Sequence, residues 1–279
     1  MGMDVPPIPP LYLLHIPKTA GTSLRAALQD HYHAALCPAA MWDDFYREPA
    51  LRTGYYRAYC GHFGIGLATY LGRKLRVVTV LRDPLARTIS HFHEVRRTAS
   101  HPLHHHVIRQ TLLDFVHDPI TVPMVTNFQA RYLAQATAPI EHLAQLFKPN
   151  WNDAYSLSVA WENASAATHP DQLYHMAMAN LLTLDAVFTT DQLDSQTTTL
   201  RHALGLPPQP IPRRNVSAGP AFTIDPAAKA QIKALTSVDQ ALYDFASDTP
   251  ALRNHYALSD PSSRHGSRQP HAACDLTPK

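Results

Sequence analysis

Short apolar runs, each followed by a polar turn and a helical repeat of apolar residues, recur along this chain. They cover residues 11–16, 76–81 and 184–189. Runs of this length, rich in Leu and Val and closed by turn residues, are typical of buried strands in a parallel sheet. Strands that alternate with helices predict an α/β fold with a mostly parallel central sheet flanked by helices.

Polar residues that follow these runs in the sequence predict where the helices begin. The candidate N-caps are Thr22 and Ser23, Asp83, and Asp191. Such side chains can accept hydrogen bonds from the free N–H groups of a first helical turn. Pro84 fits the first helical position after Asp83, and Gly205 predicts the end of the helix that follows Asp191.

The remaining chain is helical or rich in proline. Helices are predicted at 125–133 and 172–182, within about a hundred residues that carry no strand pattern, and a final helix at about 226–245. We expect a Pro-rich segment at 1–10, one domain at 11–247 and a C-terminal tail at 248–279. The tail is rich in Ser, Pro, His and Arg, which predicts disorder from about residue 260.

Composition narrows the classes of partner and compartment. The formal net charge of +2 argues against a nucleic acid as the main partner. Three widely spaced cysteines, an odd number, favour a reducing compartment. The apolar run at 11–16 is too short for a signal peptide or a membrane span. We therefore expect a soluble, cytoplasmic protein without an integral membrane segment.

The turn after the first predicted strand carries candidate anion-binding chemistry. Residues 15–23 read HIPKTAGTS. Backbone N–H groups at a helix N-terminus attract anions, Lys18 adds a positive charge, and three hydroxyl donors surround the glycine: Thr19, Thr22 and Ser23. An ordinary strand-to-helix turn is the alternative. The Gly-Lys-Ser/Thr ending of a Walker A loop is missing, because Lys18 precedes the glycine.

A second candidate segment follows the second predicted strand. Residues 82–90 read RDPLARTIS. Arg82 could bind a phosphate through two parallel hydrogen bonds, and Ser90 lies two helical turns further on. Taken alone, Arg82 and Asp83 could equally form a surface ion pair, or Asp83 could serve only as a cap.

Together the two segments resemble the PAPS-binding elements of the sulfotransferase superfamily. PAPS is 3′-phosphoadenosine-5′-phosphosulfate. The resemblance is closest to the carbohydrate branch that includes the uronyl 2-O-sulfotransferases and their bacterial relatives. It implies a P-loop-like nucleotide-binding fold, PAPS as sulfuryl donor and no metal. It implies that the 5′-phosphosulfate is held by the loop Lys18, Thr19, Ala20, Gly21, Thr22 and Ser23. The 3′-phosphate would lie on Arg82 and Ser90.

The same resemblance extends to a third segment, YCGHF at 59–63. It implies that His62 is the catalytic base and that Lys18 acts on the leaving group. Some members of the family carry a helper histidine two residues before the base, where this chain has Cys60. A structural role is the alternative for His62, since the chain contains 18 histidines.

Weaker parallels complete the candidate site. Thr190 resembles a position near the adenine, and a loop over the nucleotide is suggested for Arg213, Arg214 and Asn215. Asn127 and Arg131, one helical turn apart, resemble a substrate-binding pair, although a solvated helix face explains them equally well. The histidine-rich run at 101–106 is interpreted as an incidental polar stretch without a metal.

These features predict an enzyme that transfers a sulfuryl group from PAPS to an acceptor hydroxyl. A carbohydrate acceptor is favoured by resemblance alone, while a small metabolite or a tyrosine stays open. Two alternatives remain. One is a P-loop-like kinase or nucleotide hydrolase, in which Asp83 would hold magnesium. The other is a non-catalytic nucleotide- or glycan-binding module on the same fold.

Overall fold

The computed structural model of the chain describes residues 8–135, 156–164, 168–210 and 223–249. Within these ranges four parallel strands form one sheet in the order β2-β1-β3-β4. They are β1 (Leu11–Leu14), β2 (Ala58–Gly61), β3 (Arg76–Leu81) and β4 (Ala186–Thr189). Leu11 pairs with Ala58 on one side and with Arg76 on the other. The predicted parallel sheet with flanking helices is confirmed.

The described helices connect and cover these strands. They are α1 (Gly21–Tyr32), α2 (Trp42–Arg47), α3 (Ala50–Thr53), α4 (Leu67–Leu71), α5 (Pro84–Arg97), α6 (His104–Val107), α7 (Leu112–His117), α8 (Phe128–Ala134), α9 (Ser156–Ala164), α10 (Pro170–Leu181), α11 (Thr197–Ala203), α12 (Pro226–Leu235) and α13 (Ser237–Asp248). Short 3₁₀ turns lie at His33–Ala35, Val122–Met124 and Thr190–Gln192. Among the helices of the described ranges, none is both long and apolar enough to cross a bilayer.

The sheet is the middle of three layers, because alternate strand residues point to opposite faces. Leu11 and Leu13 pack on one face against α1 and α11. Tyr12 and Leu14 pack on the other face against α2, α8, α10 and α13. All four side chains are buried. The sheet is therefore covered on both faces, as expected for parallel strands.

Strand β2 was not predicted from the sequence. Its four residues, Ala-Tyr-Cys-Gly, include no β-branched side chain and end in glycine, so they lack the usual composition of a strand. The three predicted strands are present, although two are shorter than expected. β1 ends at Leu14, and β4 begins at Ala186.

The predicted start of α5 is confirmed. Asp83 is the N-cap, its Oδ1 accepts a hydrogen bond from the N–H of Ala86 at 2.7 Å, and Pro84 is the first helical residue. Gly205 ends the region of α11 with a φ of +67°, a conformation that favours glycine.

Two other predicted caps are wrong. Helix α1 begins at Gly21 with Ala20 as its N-cap, so Thr22 and Ser23 lie within the first turn. Asp191 lies in a 3₁₀ turn, and α11 begins only at Thr197. Helix α1 thus begins earlier, and α11 later, than the predicted capping residues imply.

The predicted final helix is two helices that meet at Thr236. The second of them, α13, begins where the Oδ1 of Asn127 accepts a hydrogen bond from the N–H of Val238 at 3.0 Å. This cap comes from a distant part of the chain, which explains why the local pattern did not reveal the break. The predicted helices at 125–133 and 172–182 correspond to α8 and α10. The tail beyond residue 249 lies outside the described residues.

Candidate active site

The sequence-predicted groups follow the carboxyl ends of the four parallel strands. The loop at 15–23 follows β1, His62 follows β2, Arg82 follows β3 and Thr190 follows β4. From β1 the chain continues to β2 on one side of the sheet, whereas β3 and β4 lie on the other side. In open α/β sheets a ligand crevice forms where the strand order reverses in this way. By this rule, the donor crevice is expected between β1 and β3.

The loop after β1 has the backbone geometry of an anion site. Lys18 and Ala20 have φ values of +74° and +71°, which non-glycine residues seldom adopt. Turns of this kind form concave surfaces lined by N–H groups. Helix α1 begins at Gly21, and no side chain caps its N-terminus. The N–H groups of Ser23 and Leu24 donate to the carbonyl oxygen of Ala20, whereas those of Gly21 and Thr22, at the very start of the helix, are suited to a bound anion.

The hydroxyl groups of this loop do not all face the crevice. The Oγ1 of the buried Thr19 donates to the carbonyl oxygen of Ile16 at 2.9 Å and stabilises the loop from inside. Thr22 is exposed and lines a pocket described below, and Ser23 is half-buried in the first turn of α1. The phosphate contacts expected of these side chains stay predictions.

Lys18 forms an ion pair across the crevice. Its Nζ lies 3.2 Å from the Oε2 of Glu94 on α5, and that carboxylate also accepts from Arg97. Burial lowers the pKa of Lys18 and outweighs the opposite effect of Glu94. The sequence reasoning missed Glu94, although it lies one helical turn after Ser90 and thus on the same face of α5.

Arg82 is held by three hydrogen bonds. Its Nη1 donates to the carbonyl oxygen of Lys18 at 3.1 Å, which joins the ends of β1 and β3. Its backbone N–H donates to Oε1 of Gln129 at 2.9 Å, and its carbonyl oxygen accepts from Nε2 of Gln129 at 2.8 Å. Gln129 is buried on α8 and was not predicted. It fixes the backbone from which Arg82 reaches the crevice.

The structure gives less information on the other residues that were predicted to contact the nucleotide. Ser90 is half-buried on α5, and the Oγ1 of Thr190 donates to Oδ1 of Asp191 at 3.2 Å. Arg213, Arg214 and Asn215 lie outside the described residues. All five assignments stay predictions.

His62 has one ring nitrogen fixed and the other free for chemistry. Its Nδ1 donates to the backbone carbonyl oxygen of His15 at 2.8 Å. A carbonyl oxygen can only accept, so the proton of the neutral imidazole sits on Nδ1 and Nε2 keeps its lone pair. Burial lowers the pKa of His62 to about 4. His62 is therefore neutral at pH 7, with Nε2 able to accept a proton.

An open pocket of about 350 Å³ adjoins His62. It is lined by His15, Thr22, Arg25, Ala26, Gln29, Ala40 and His62. Arg25, which was not predicted, donates to the carbonyl oxygens of Cys60 and Pro38. The pocket thus places the candidate base beside hydrogen-bonding groups of α1.

Asn127 and Arg131 are buried rather than presented to this pocket. Asn127 caps α13, and the Nη1 and Nη2 of Arg131 donate to the carbonyl oxygens of Glu162 and Pro123. These contacts explain both residues as parts of the packing between helices. Their predicted role in substrate binding has no support from this arrangement.

The histidine-rich run at 101–106 makes local contacts. His104 is buried with its Nδ1 3.1 Å from the carbonyl oxygen of Val95, and the Nε2 of His106 lies 2.5 Å from Oδ2 of Asp118. In the part of the chain that the structure describes, no group of three or more His, Cys, Asp or Glu side chains could hold a metal ion.

Comparisons with known proteins add one distant likeness. No family model and no curated protein matches the chain. Among the solved structures that match is the crystal structure of mouse sulfotransferase SULT7A1 complexed with PAP. It is 13% identical with a TM-score of 0.33, and the match covers 84% of this chain and 65% of the mouse chain. The match thus spans less than two thirds of the length of the mouse chain.

Proposed function

We propose that this chain is a sulfotransferase that moves a sulfuryl group from PAPS to an acceptor hydroxyl. One observation carries the proposal. Three adjacent strands are each followed, at the same edge of the sheet, by a group suited to this reaction. These groups are the anion-binding loop with Lys18, the guanidinium of Arg82, and the neutral His62 with its free Nε2. Their identity also matches the three sequence segments that resemble the superfamily.

The donor would lie in the crevice between β1 and β3. The N–H groups at the start of α1 would bind the 5′-phosphosulfate, with Lys18 beside the bridging oxygen. Arg82 and Ser90 would bind the 3′-phosphate. Gln129 supports this role for Arg82, because its side chain hydrogen-bonds both the N–H and the carbonyl oxygen of that residue.

The transfer itself would need positioning and charge stabilisation more than covalent chemistry. The acceptor oxygen attacks sulfur while Nε2 of His62 takes the hydroxyl proton. The bond between sulfur and the bridging phosphate oxygen breaks, and its electron pair stays on adenosine 3′,5′-bisphosphate (PAP). Lys18 would stabilise the charge that grows on that oxygen.

The kinase alternative is disfavoured by the position of Asp83. In the structure the Oδ1 of Asp83 accepts from the N–H of Ala86 and caps α5. A carboxylate used in this way is a poor replacement for the magnesium ligand that a P-loop kinase requires. The missing Gly-Lys-Ser/Thr sequence points the same way.

A carbohydrate hydroxyl is the acceptor that we favour. The pocket beside His62 is open and offers side chains that can hydrogen-bond several hydroxyl groups, such as Thr22, Arg25 and Gln29. Isotope-labelled PAPS incubated with sugar, metabolite and peptide acceptors should give a sulfated product detectable by mass spectrometry. PAP binding without transfer to any acceptor class, and without PAPS breakdown, would instead support the non-catalytic module.

Replacing Arg82 with Ala should remove the preference for a 3′-phosphorylated nucleotide. A charge-assisted contact of this kind is worth about 1.5–3 kcal/mol. Calorimetry should show that the wild type binds PAP more tightly than AMP and that Arg82→Ala binds the two equally. Arg57→Ala, at an exposed position before β2, is the matched control. A variant that keeps the full preference would remove Arg82 from the donor site.

Glu94→Gln should tighten PAP binding. Glu94 competes with the bound anion for the ammonium of Lys18, and its side chain is 32% exposed. An ion pair of this exposure contributes up to about 1 kcal/mol, so the gain should be no more than about fivefold. Glu48→Gln, at the exposed end of α2, is the control. Weaker PAP binding in Glu94→Gln would show that the carboxylate helps to orient Lys18 rather than competing with the donor.

A further inference from the structure

The ring of His15 contacts both the candidate base and the start of the helix that follows the candidate anion loop. It packs against the ring of His62 in a tilted arrangement, with 4.3 Å between the centroids and 38° between the planes. It also lies directly against Gly21, the first residue of α1. A Cβ added to Gly21 would overlap the imidazole of His15. The ring therefore contacts both His62 and the first residue of the helix whose N-terminus we assign to the donor.

The backbone of His15 belongs to the same arrangement. Its N–H donates to the carbonyl oxygen of Gly61 at 3.2 Å, which extends the pairing of β1 and β2 by one residue. Its carbonyl oxygen accepts from Nδ1 of His62. His62 is thus held by its Nδ1 and by the face of its ring, both through His15. Its Nε2 edge is the part left for an acceptor.

We propose that His15 is a positioning residue, whose ring keeps Nε2 of His62 directed at the acceptor and at a fixed distance from the donor loop. The expected effect of His15 on turnover rests on the proposed sulfuryl transfer. Its expected effect on the pKa of His62 does not. The ring acts by its shape and by excluding water, so its nitrogens are not required. Burial lowers the pKa of His15 well below its ordinary value, which keeps the ring uncharged beside His62.

Other groups also act on the protonation of His62. Arg25 of α1 and Lys18 of the loop lower its pKa by charge repulsion, while the hydrogen bond to the carbonyl of His15 raises it. From α8, the ring of Tyr132 approaches edge-on, with 6.5 Å between centroids. None of these groups is altered by a substitution of the His15 side chain. A change in the pKa of His62 in such a variant can therefore be assigned to the lost ring.

The test compares His15→Ala with His15→Phe. In ¹⁵N NMR titrations without any ligand, wild-type His62 should show a proton on Nδ1 and a pKa near 4. His15→Ala admits water to the ring, so the pKa should rise from about 4 toward the ordinary 6.5. His15→Phe keeps a flat ring in place and should keep the low pKa. His31→Ala, at an exposed histidine on α1, is the control.

Turnover should follow the same order. A small misplacement of a catalytic group can cost up to about a hundredfold, so His15→Ala should lose about tenfold to a hundredfold in kcat. His15→Phe should retain most of the activity, and PAP affinity should stay close to wild type in both. An inactive His15→Phe with an unchanged pKa of His62 would overturn the proposal, because the nitrogens of His15 would then be required.

A double-mutant cycle tests the packing contact on its own. Gly21→Ala alone should lower the thermal unfolding midpoint, since its Cβ displaces the ring of His15. In the His15→Ala background the same Cβ fills the vacated space, so the loss should be much smaller. Additive losses would show that the ring does not occupy this position. If the NMR and stability results hold while no sulfuryl transfer is found, the proposed function fails and the positioning of His62 stands.

Discussion

His62→Asn should lower turnover by about a hundredfold to ten-thousandfold, the usual contribution of a general base. The side chain of Asn is polar and of similar bulk, but it does not titrate near neutral pH. PAP affinity should change little, because His62 faces the acceptor pocket rather than the donor crevice. Steady-state rates with saturating PAPS, together with calorimetry of PAP, measure the two effects separately.

The pH dependence of the wild type should be set by the lowered pKa of His62. His62 is active when neutral, so kcat/KM for PAPS should stay level at neutral pH and fall as the pH drops through about 4. This acid limb lies at lower pH than the ordinary imidazole pKa of 6.5, which the sequence alone suggests. Bound PAPS is anionic and favours the protonated ring. The acid limb in kcat, which reports the enzyme with PAPS bound, should therefore lie at higher pH than the acid limb in kcat/KM for PAPS.

The control for this prediction is His117→Asn, at an exposed histidine on α7. It should keep the wild-type rate and both limbs. The residual activity of His62→Asn should lack them. If His62→Asn turns over at the wild-type rate with the same acid limbs, another group is the base and the assignment of His62 is wrong.

Lys18→Ala should lower kcat by about a hundredfold or more, because one preorganised donor at a developing charge is typically worth that much. PAP affinity should fall far less, since the N–H groups of the loop remain. Ala is a suitable replacement at a φ of +74°, where it carries the same Cβ as lysine and adds no further backbone strain. Lys18→Gly would confuse the result by freeing the backbone.

The ion pair with Glu94 provides a matched comparison for Lys18. Glu94→Ala breaks the same pair but leaves the ammonium in place. If loss of the pair alone explained the effect of Lys18→Ala, both variants would lose turnover equally. We expect Glu94→Ala to keep most of its turnover. A Lys18→Ala enzyme with a near-normal kcat would exclude the lysine from the transfer step.

The predictable parts of the fold are those with strong local patterns. The Leu- and Val-rich runs revealed β1, β3 and β4, and Asp83-Pro84 located the start of α5. Strand β2 was not predicted because its four residues have little intrinsic preference for a strand. It is stabilised mainly by its pairing with β1 and by burial. The split between α12 and α13 depends on a cap from Asn127, which no local pattern contains.

The candidate site divides in the same way. Lys18, Arg82 and His62 could be proposed from residue type, position after a strand and resemblance. The contacts that hold them could not, because each depends on how distant segments pack. Gln129 is separated from Arg82 by 47 residues, and the carbonyl of His15 by the same number from His62. Only Glu94 left a signal, through its helical spacing from Ser90.

The central claim, that this crevice takes PAPS, is tested most directly by a calorimetric titration of the wild type with PAP and, in parallel, with ATP and magnesium. A sulfotransferase should bind PAP more tightly than ATP, without any need for the metal. It should lose that preference in Arg82→Ala. Tighter binding of ATP in the presence of magnesium, or equal affinity for the two nucleotides, would contradict the assignment.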